Sequence, residues 1–301
     1  MWLLFAFSGP VLWAASTHVD KYLVEKYFKN SSTAVLMVFT SLTGLLAMPF
    51  IWWHQPRVLG LAPTAITVMI ASGVLYMGAM LFYLQAIQTE EASVVAPMFQ
   101  AAAVWGYALA YLLLGEKLSL TELAGGALIL AAGVLLSLDK SLHFGRLKTG
   151  LILRMGACTF ALALSSVIFK YFAVNDEFWS TTFWTFAGEA LLGAAILAIP
   201  VYTRQMSRLL RTSTAAILTI NGANELINLG GGLGARYALL LAPVALVQAI
   251  SSTTTLFVFL FGILITLFLP SLGREDISRR NLIQKGAGAV LVAIGVMLVN
   301  S

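Results

Sequence analysis

Ionisable and amide side chains set within apolar sequence are costly, so they single themselves out as candidates for function. Glu225 is the foremost case. Asn221, Asn228 and Gly232 share its face at helical spacing, and Asn224 lies beside it. An unpaired carboxyl at membrane depth costs about 3 kcal/mol or more, so this face must address a cavity or a partner. Glu225 could contact a substrate, exchange a proton during transport, or stand as a structural carboxyl hydrogen-bonded to the Asn amides. Glu189 falls in another apolar stretch, with Thr185, Phe186 and Gly193 on its face. Lys170 or Arg236 could pair with it, although both sit near enough to segment ends to extend toward the interface. Glu116 reads as an interfacial, structural residue.

Neutral polar groups add a second set. Gln248, Ser251, Ser252 and Thr255 recur at i, i+3, i+4 and i+7. That stripe lines a cavity or bonds to neighbouring helices. Tyr76, Tyr83, Gln85, Gln100, Trp105 and Tyr107, joined by Trp13 and Ser16, would give aromatic walls with a few polar tips. Such walls suit a small organic molecule, though each ring alone is equally ordinary helix packing. Trp52 and Trp53 fit the aromatic belt at a membrane surface.

Enzyme chemistry finds no support. His18, His54 and His143 are far apart and fall at the ends of apolar stretches or between them. No His-Glu-x-x-His pattern, Cys/His cluster or phosphate-binding loop occurs, so neither a metal nor another cofactor is expected. The run Gly230-Gly231-Gly232 follows no strand and is not a dinucleotide loop; with Gly234 it is expected to interrupt its apolar segment and permit bending during transport. Any transport would draw on gradients rather than on nucleotide hydrolysis by this chain. The single cysteine, Cys158, sits in apolar sequence and reads as a small buried hydrophobe.

The elements that must position these groups follow from composition. Of 301 residues, 59% are hydrophobic and 10% charged, against about 25% charged in an ordinary soluble domain. This excludes a cytosolic enzyme, a nucleic-acid-binding module and a disordered chain. It predicts an all-α polytopic membrane protein in contact with the lipid bilayer. At roughly 20 apolar residues per helix plus a connector, apolar segments are expected over 2–18, 33–53, 63–87, 92–114, 119–138, 149–171, 178–201, 213–237, 243–268 and 282–299. Short connectors hold most of the charge, as in 140–148, 204–211 and 274–280. The first segment lacks a basic start and is expected to be retained, although residues 13–16 faintly resemble a cleavage site.

Alternating these segments across a membrane puts only Arg57, Lys117, Lys170 and Arg236 on one side, with the rest of the 18 Lys and Arg on the other. The positive-inside rule makes the richer side cytoplasmic and places both termini outside.

The halves resemble each other. Residues 126–134 align with 288–296, Lys170-Tyr171 with Lys21-Tyr22, and Val244-Ala245-Leu246-Val247 with Ala92-Ser93-Val94-Val95. Five helices repeated twice, 1–140 and 141–301, would give ten helices in two inverted five-helix repeats, a transporter architecture. The carrying residues are Ala92-Ser93-Val94-Val95-Ala96-Pro97, then Leu114-Gly115-Glu116-Lys117-Leu118-Ser119, then the helix from Gly126 to Gly133. Ala242-Pro243-Val244-Ala245-Leu246-Val247 and residues 286–295 follow in the second half. In their order and spacing these resemble the EamA-like transporter family of the drug/metabolite transporter superfamily. The turn after the fourth helix has no copy after the ninth, where 270–280 forms a longer basic connector.

The resemblance implies a central cavity lined by the first four helices of each half, with the fifth and tenth helices peripheral. It also implies export or exchange of small metabolites and cytoplasmic termini, the reverse of the charge count. The expected function is therefore a secondary active transporter in the cell membrane, carrying a small organic metabolite by alternating access. Amino acids, amines or other neutral or cationic solutes fit the neutral and acidic candidates better than sugar phosphates. Protons are a candidate coupling ion, nucleic acid is no partner, and a monomer suffices because both halves lie in one chain. The alternatives are a lipid-handling protein and a membrane scaffold or receptor without flux.

Overall fold

A computed structural model describes residues 1–28, 32–89, 92–137, 149–268 and 278–301. Among these the secondary structure is helical, with no strand. The first three helices are α1 (Trp2–Lys26), α2 (Thr33–His54) and α3 (Pro63–Thr89). They are followed by α4 (Ala92–Phe99), α5 (Ala101–Leu114), α6 (Leu120–Ser137), α7 (Thr149–Asn175) and α8 (Phe178–Leu197). The chain ends with α9 (Pro200–Ala216), α10 (Gly222–Leu241), α11 (Val244–Ser251), α12 (Thr254–Phe268) and α13 (Arg279–Val299). The connectors 140–148 and 270–277 lie outside the described residues.

Local sequence explains the boundaries. The Ser32 hydroxyl accepts from the Ala34 amide at 3.2 Å and opens α2. Gly115 closes α5 with φ of 70°, a left-handed conformation that favours glycine. Four residues later Ser119 and Glu122 form a reciprocal cap at the start of α6. The Ser119 amide donates to Glu122 Oε2 at 2.7 Å, and the Glu122 amide to Ser119 Oγ at 3.2 Å.

Among the described residues seven spans are long and apolar enough to cross a membrane, and the bent α8–α9 pair is the eighth candidate. The chain is therefore a multi-pass membrane protein. Of the ten expected segments, α1 and α10 fall short of that measure. Both carry polar side chains that bond to other helices (Asp20, Asn224 and Glu225 among them), which dilute their apolar content.

Four further differences from the sequence expectation have physical reasons. The helix expected to end near residue 18 continues to Lys26, with Asp20 of the added turns finding a partner amide on α10. The connector 204–211 is helical, within α9, which leaves α8 at 95°. α9 is amphipathic: Met206 and Leu209 are buried while Arg204, Arg208 and Arg211 are exposed, the pattern of a helix lying along an interface. The fourth and ninth segments are each interrupted after eight residues, at Gln100 and at Ser252–Thr253. Finally, Gly230–Gly232 and Gly234 do not interrupt α10. Gly230, Gly231 and Gly234 let it approach α1, with Gly231 against Trp13 and Gly234 against Ser8, while Gly232 faces open space.

The helices pair as α1 with α10 and α12, α3 with α7 and α8, α2 with α8, α5 with α7, and α6 with α13. Small residues permit the tightest crossings. Gly73 of α3 abuts the Thr185 carbonyl of α8, and Gly188 of α8 abuts the Ile70 carbonyl of α3. In Gly73→Leu the side chain would meet backbone rather than a movable side chain. This substitution is expected to cost about 1–3 kcal/mol or more, read as a lower Tm and loss of the monodisperse species in detergent. Gly156→Ala, with open space around it, is expected to behave as wild type.

Candidate functional site

The chain from α9 into α10 passes through a π-turn, Ile217–Asn221, of the kind frequent at functional sites. The next turns bring Asn221, Asn224 and Glu225 into the interior, at 1%, 1% and 4% exposure. The Thr40 hydroxyl of α2 donates to Glu225 Oε1 at 3.0 Å. The Asn224 amide donates to Asp20 Oδ1 at 2.7 Å. Asp20 Oδ2 accepts from the Ser16 hydroxyl one turn earlier at 3.4 Å. Asp20 and Glu225 interact electrostatically, and Asn228 adjoins the Glu225 carboxyl. Further along the same helices, Trp13 is packed between Gly9 and Gly231. The cluster thus joins α1 and α2 to α10, toward the end of the bundle from which α9 emerges.

A second cluster occupies the middle of α8. Glu189 pairs with Arg236 of α10. The guanidinium lies 4.7 Å from the Phe186 ring centroid, 5.6 Å from that of Phe169 and 5.8 Å from that of Tyr76. Charge and delocalised cation are thereby enclosed by aromatic faces. Arg236 turns inward rather than toward the interface.

A third cluster closes the opposite end from Asp20. Lys170 of α7 pairs with Glu116 at 2.5 Å and donates to the Ala242 carbonyl at 2.7 Å. The second Glu116 oxygen accepts from the Val244 amide at 2.9 Å, capping the first turn of α11. Lys170 therefore has an inward partner too. Glu116, Lys170 and Pro243 line a shallow cleft of about 270 Å³. A larger depression, about 400 Å³, follows Arg204, Arg208 and Arg211 on α9. Neither depression includes Glu225 or Glu189; these two carboxyls are closed off in this conformation.

The other sequence candidates separate. Gln248 donates to Ser166 of α7 at 3.1 Å. Ser251 and Ser252 bond to carbonyls of their own helix, at 3.0 and 2.6 Å, so the stripe serves in part to satisfy a helix break. Gln100 marks the other break; it and Ser252 both adjoin Gly133 of α6. Tyr83 meets Phe99 edge-on with centroids 5.0 Å apart, in an apolar cluster with Met155 and Cys158. The structure thus brings together Glu225, Asn221, Asn224 and Asn228, with Trp13 nearby. It puts Glu189 beside Tyr76, and leaves Tyr83 in ordinary packing.

Asp20 and Thr40 were missed by sequence reasoning. Asp20 lies past the end of the expected first segment, 2–18. A signal existed, since Trp13, Ser16 and Asp20 continue one face at i, i+3 and i+7.

The helical fold and its apolar spans define an integral membrane protein with polar clusters enclosed among its helices. Residues 1–138 match the EamA-like transporter family. The matched stretch, just under half of the chain, is similar to that family of the drug/metabolite transporter superfamily, and the match suggests a membrane transporter acting on a small molecule. A solved crystal structure aligns with a TM-score of 0.69 at 17% identity, over 99% of this chain and 96% of that one, and establishes likeness of fold. A search of the curated proteins gives no match.

Removing one member of an enclosed ion pair leaves the other charge stranded. Arg236→Met is therefore expected to destabilise by about 3–5 kcal/mol, seen as a fall in Tm. The double variant Glu189→Met/Arg236→Met is expected to recover much of that loss, so the two single effects will not add.

Proposed function

We propose that the chain is a secondary active transporter with ten helices in two inverted five-helix repeats, 1–140 and 141–301, moving a small organic metabolite by alternating access. In this reading α4 with α5 form the fourth helix, and α11 with α12 the ninth. The helix pairings support the repeat. A two-fold exchange of the halves turns α1–α10 into α3–α7, and α5–α7 into α1 with the α11–α12 helix, while α2–α8 and α6–α13 map onto themselves. The interruption of both fourth helices after eight residues fits the same relation.

One observation carries the functional reading: polar contacts near the two ends of the helices join one half to the other. Near one end are Thr40–Glu225 and Asp20–Asn224; near the other is the Glu116–Lys170–Val244 group. Rocking of the halves must break and remake such contacts, and two clusters at different depths suit gates that open in turn. Glu225 with Asn221, Asn224 and Asn228, then Glu189, Gln248, Ser252, Tyr76, Gln100 and Trp13, are the residues we assign to substrate contact or coupling. Protons are the coupling ion we favour. The arginine-rich side bearing α9 is taken as cytoplasmic, which puts both termini outside the cell membrane. Export or exchange is the direction, and a monomer is the transport unit.

Flux into proteoliposomes tests this. Pooled amino acids, amines, nucleosides and sugars would be offered with and without a pH gradient. Saturable uptake well above empty liposomes is expected, with Glu225→Gln lowering it at least about tenfold, equivalent to about 1.4 kcal/mol. No flux across the panel from folded protein would overturn the proposal in favour of a lipid-handling or scaffold role. A gradient-insensitive rate in wild type would remove proton coupling alone.

A further inference from the structure

Resting on the transport reading, the cluster around Asp20 and Glu225 narrows the chemistry of the substrate. Three of its donors are spent internally. The Thr40 hydroxyl is on Glu225, while the Asn224 amide and the Ser16 hydroxyl are on Asp20. Three buried oxygens remain without a hydrogen-bond partner: Glu225 Oε2, Asn224 Oδ1 and Asn221 Oδ1. All three are acceptors. Asn221 and Asn224 are 1% exposed and Glu225 is 4% exposed, so bulk water does not substitute for a donor. Among the described residues no Lys, Arg or His pairs with Asp20 or Glu225. The two ion pairs found, Glu116–Lys170 and Glu189–Arg236, are elsewhere.

Two carboxyls with surplus acceptors and no cation form a site whose complement carries positive charge and donors only. An ammonium group has three N–H donors and no acceptor. A carboxylate or phosphate would set acceptors against acceptors. We propose that this cluster is the subsite for an organic ammonium group on the transported molecule. Asp20, a residue the site would lack if α1 ended earlier, and Glu225 share the charge, and the Asn221 and Asn224 carbonyl oxygens take the N–H donors. Because α1 and α2 come from the first half and α10 from the second, an occupant here contacts both moving parts.

The test is thermal stabilisation of the purified full-length chain in detergent, since a ligand of the folded state raises Tm by mass action. The probe is n-propylammonium chloride; sodium propionate, n-propanol and sodium chloride are compared at matched ionic strength. A saturable rise in Tm is expected with propylammonium and not with the others. Asp20→Asn and Glu225→Gln are each expected to raise the half-saturating concentration at least about tenfold, whereas Asp176→Asn, exposed after α7, leaves it unchanged.

Absence of saturable stabilisation by propylammonium, or equal stabilisation by propionate or propanol, overturns the proposal on wild-type protein alone, whatever the fate of the variants. Stabilisation by sodium but not propylammonium assigns the cluster to an inorganic cation and overturns it too. So does an unchanged response in both carboxyl variants. Flux of neutral solutes without amine binding would sink the subsite and leave the transport reading standing. Amine binding without any flux would do the reverse.

Discussion

A polar group held away from water at membrane depth must find its partners inside the protein, because hydrocarbon offers none. In this chain that constraint falls most heavily on the contact between α1 and α10. Asp20, Asn224 and Glu225 would be intolerable facing lipid, so their helices must be turned toward each other and toward Thr40 on α2. The glycines of α10 make the approach possible by removing side chains where Trp13 and Ser8 cross. Polar demand and close packing thus fix the same interface, between two helices that fall short of the apolar measure of a span.

The three charged clusters differ in kind. Glu189 and Arg236 neutralise one another within the second half, under aromatic faces. Glu116 and Lys170 satisfy two backbone groups as well as each other, so that group is complete. The Asp20–Glu225 group has no such balance: it carries like charges and unspent acceptors. A buried network that is only partly satisfied is costly in a way that a complete one is not. That contrast, rather than the mere presence of acids, separates it from the two ion pairs and is the ground on which a ligand is proposed there.

The interruptions at Gln100 and Ser252–Thr253 show how irregular backbone is accommodated. Ser252 and Thr253 return hydrogen bonds to carbonyls of their own helix at 2.6 and 2.7 Å, and Gly133 of α6 lies against both Gln100 and Ser252. Non-helical turns at this depth are tolerated where protein surrounds them.

Most of the helix inventory was legible in the sequence, because twenty-residue apolar runs have few other solutions. So were Glu225 and its Asn-bearing face, since spacing on one helix is a local property. The length of α1, the helical character of α9 and the inclusion of Asp20 were not. Each depends on what lies across an interface: a partner amide from α10 for Asp20, a core for Met206 and Leu209 beneath α9. Likewise, sequence could name Lys170 and Arg236 as equal suitors of Glu189. Only the packing of α10 beside α8, and of α7 against the Glu116 turn, decided that Arg236 takes Glu189 and Lys170 takes Glu116. Periodicity tells which residues share a face; which faces meet is decided by non-local packing, and pairing at membrane depth follows from that meeting.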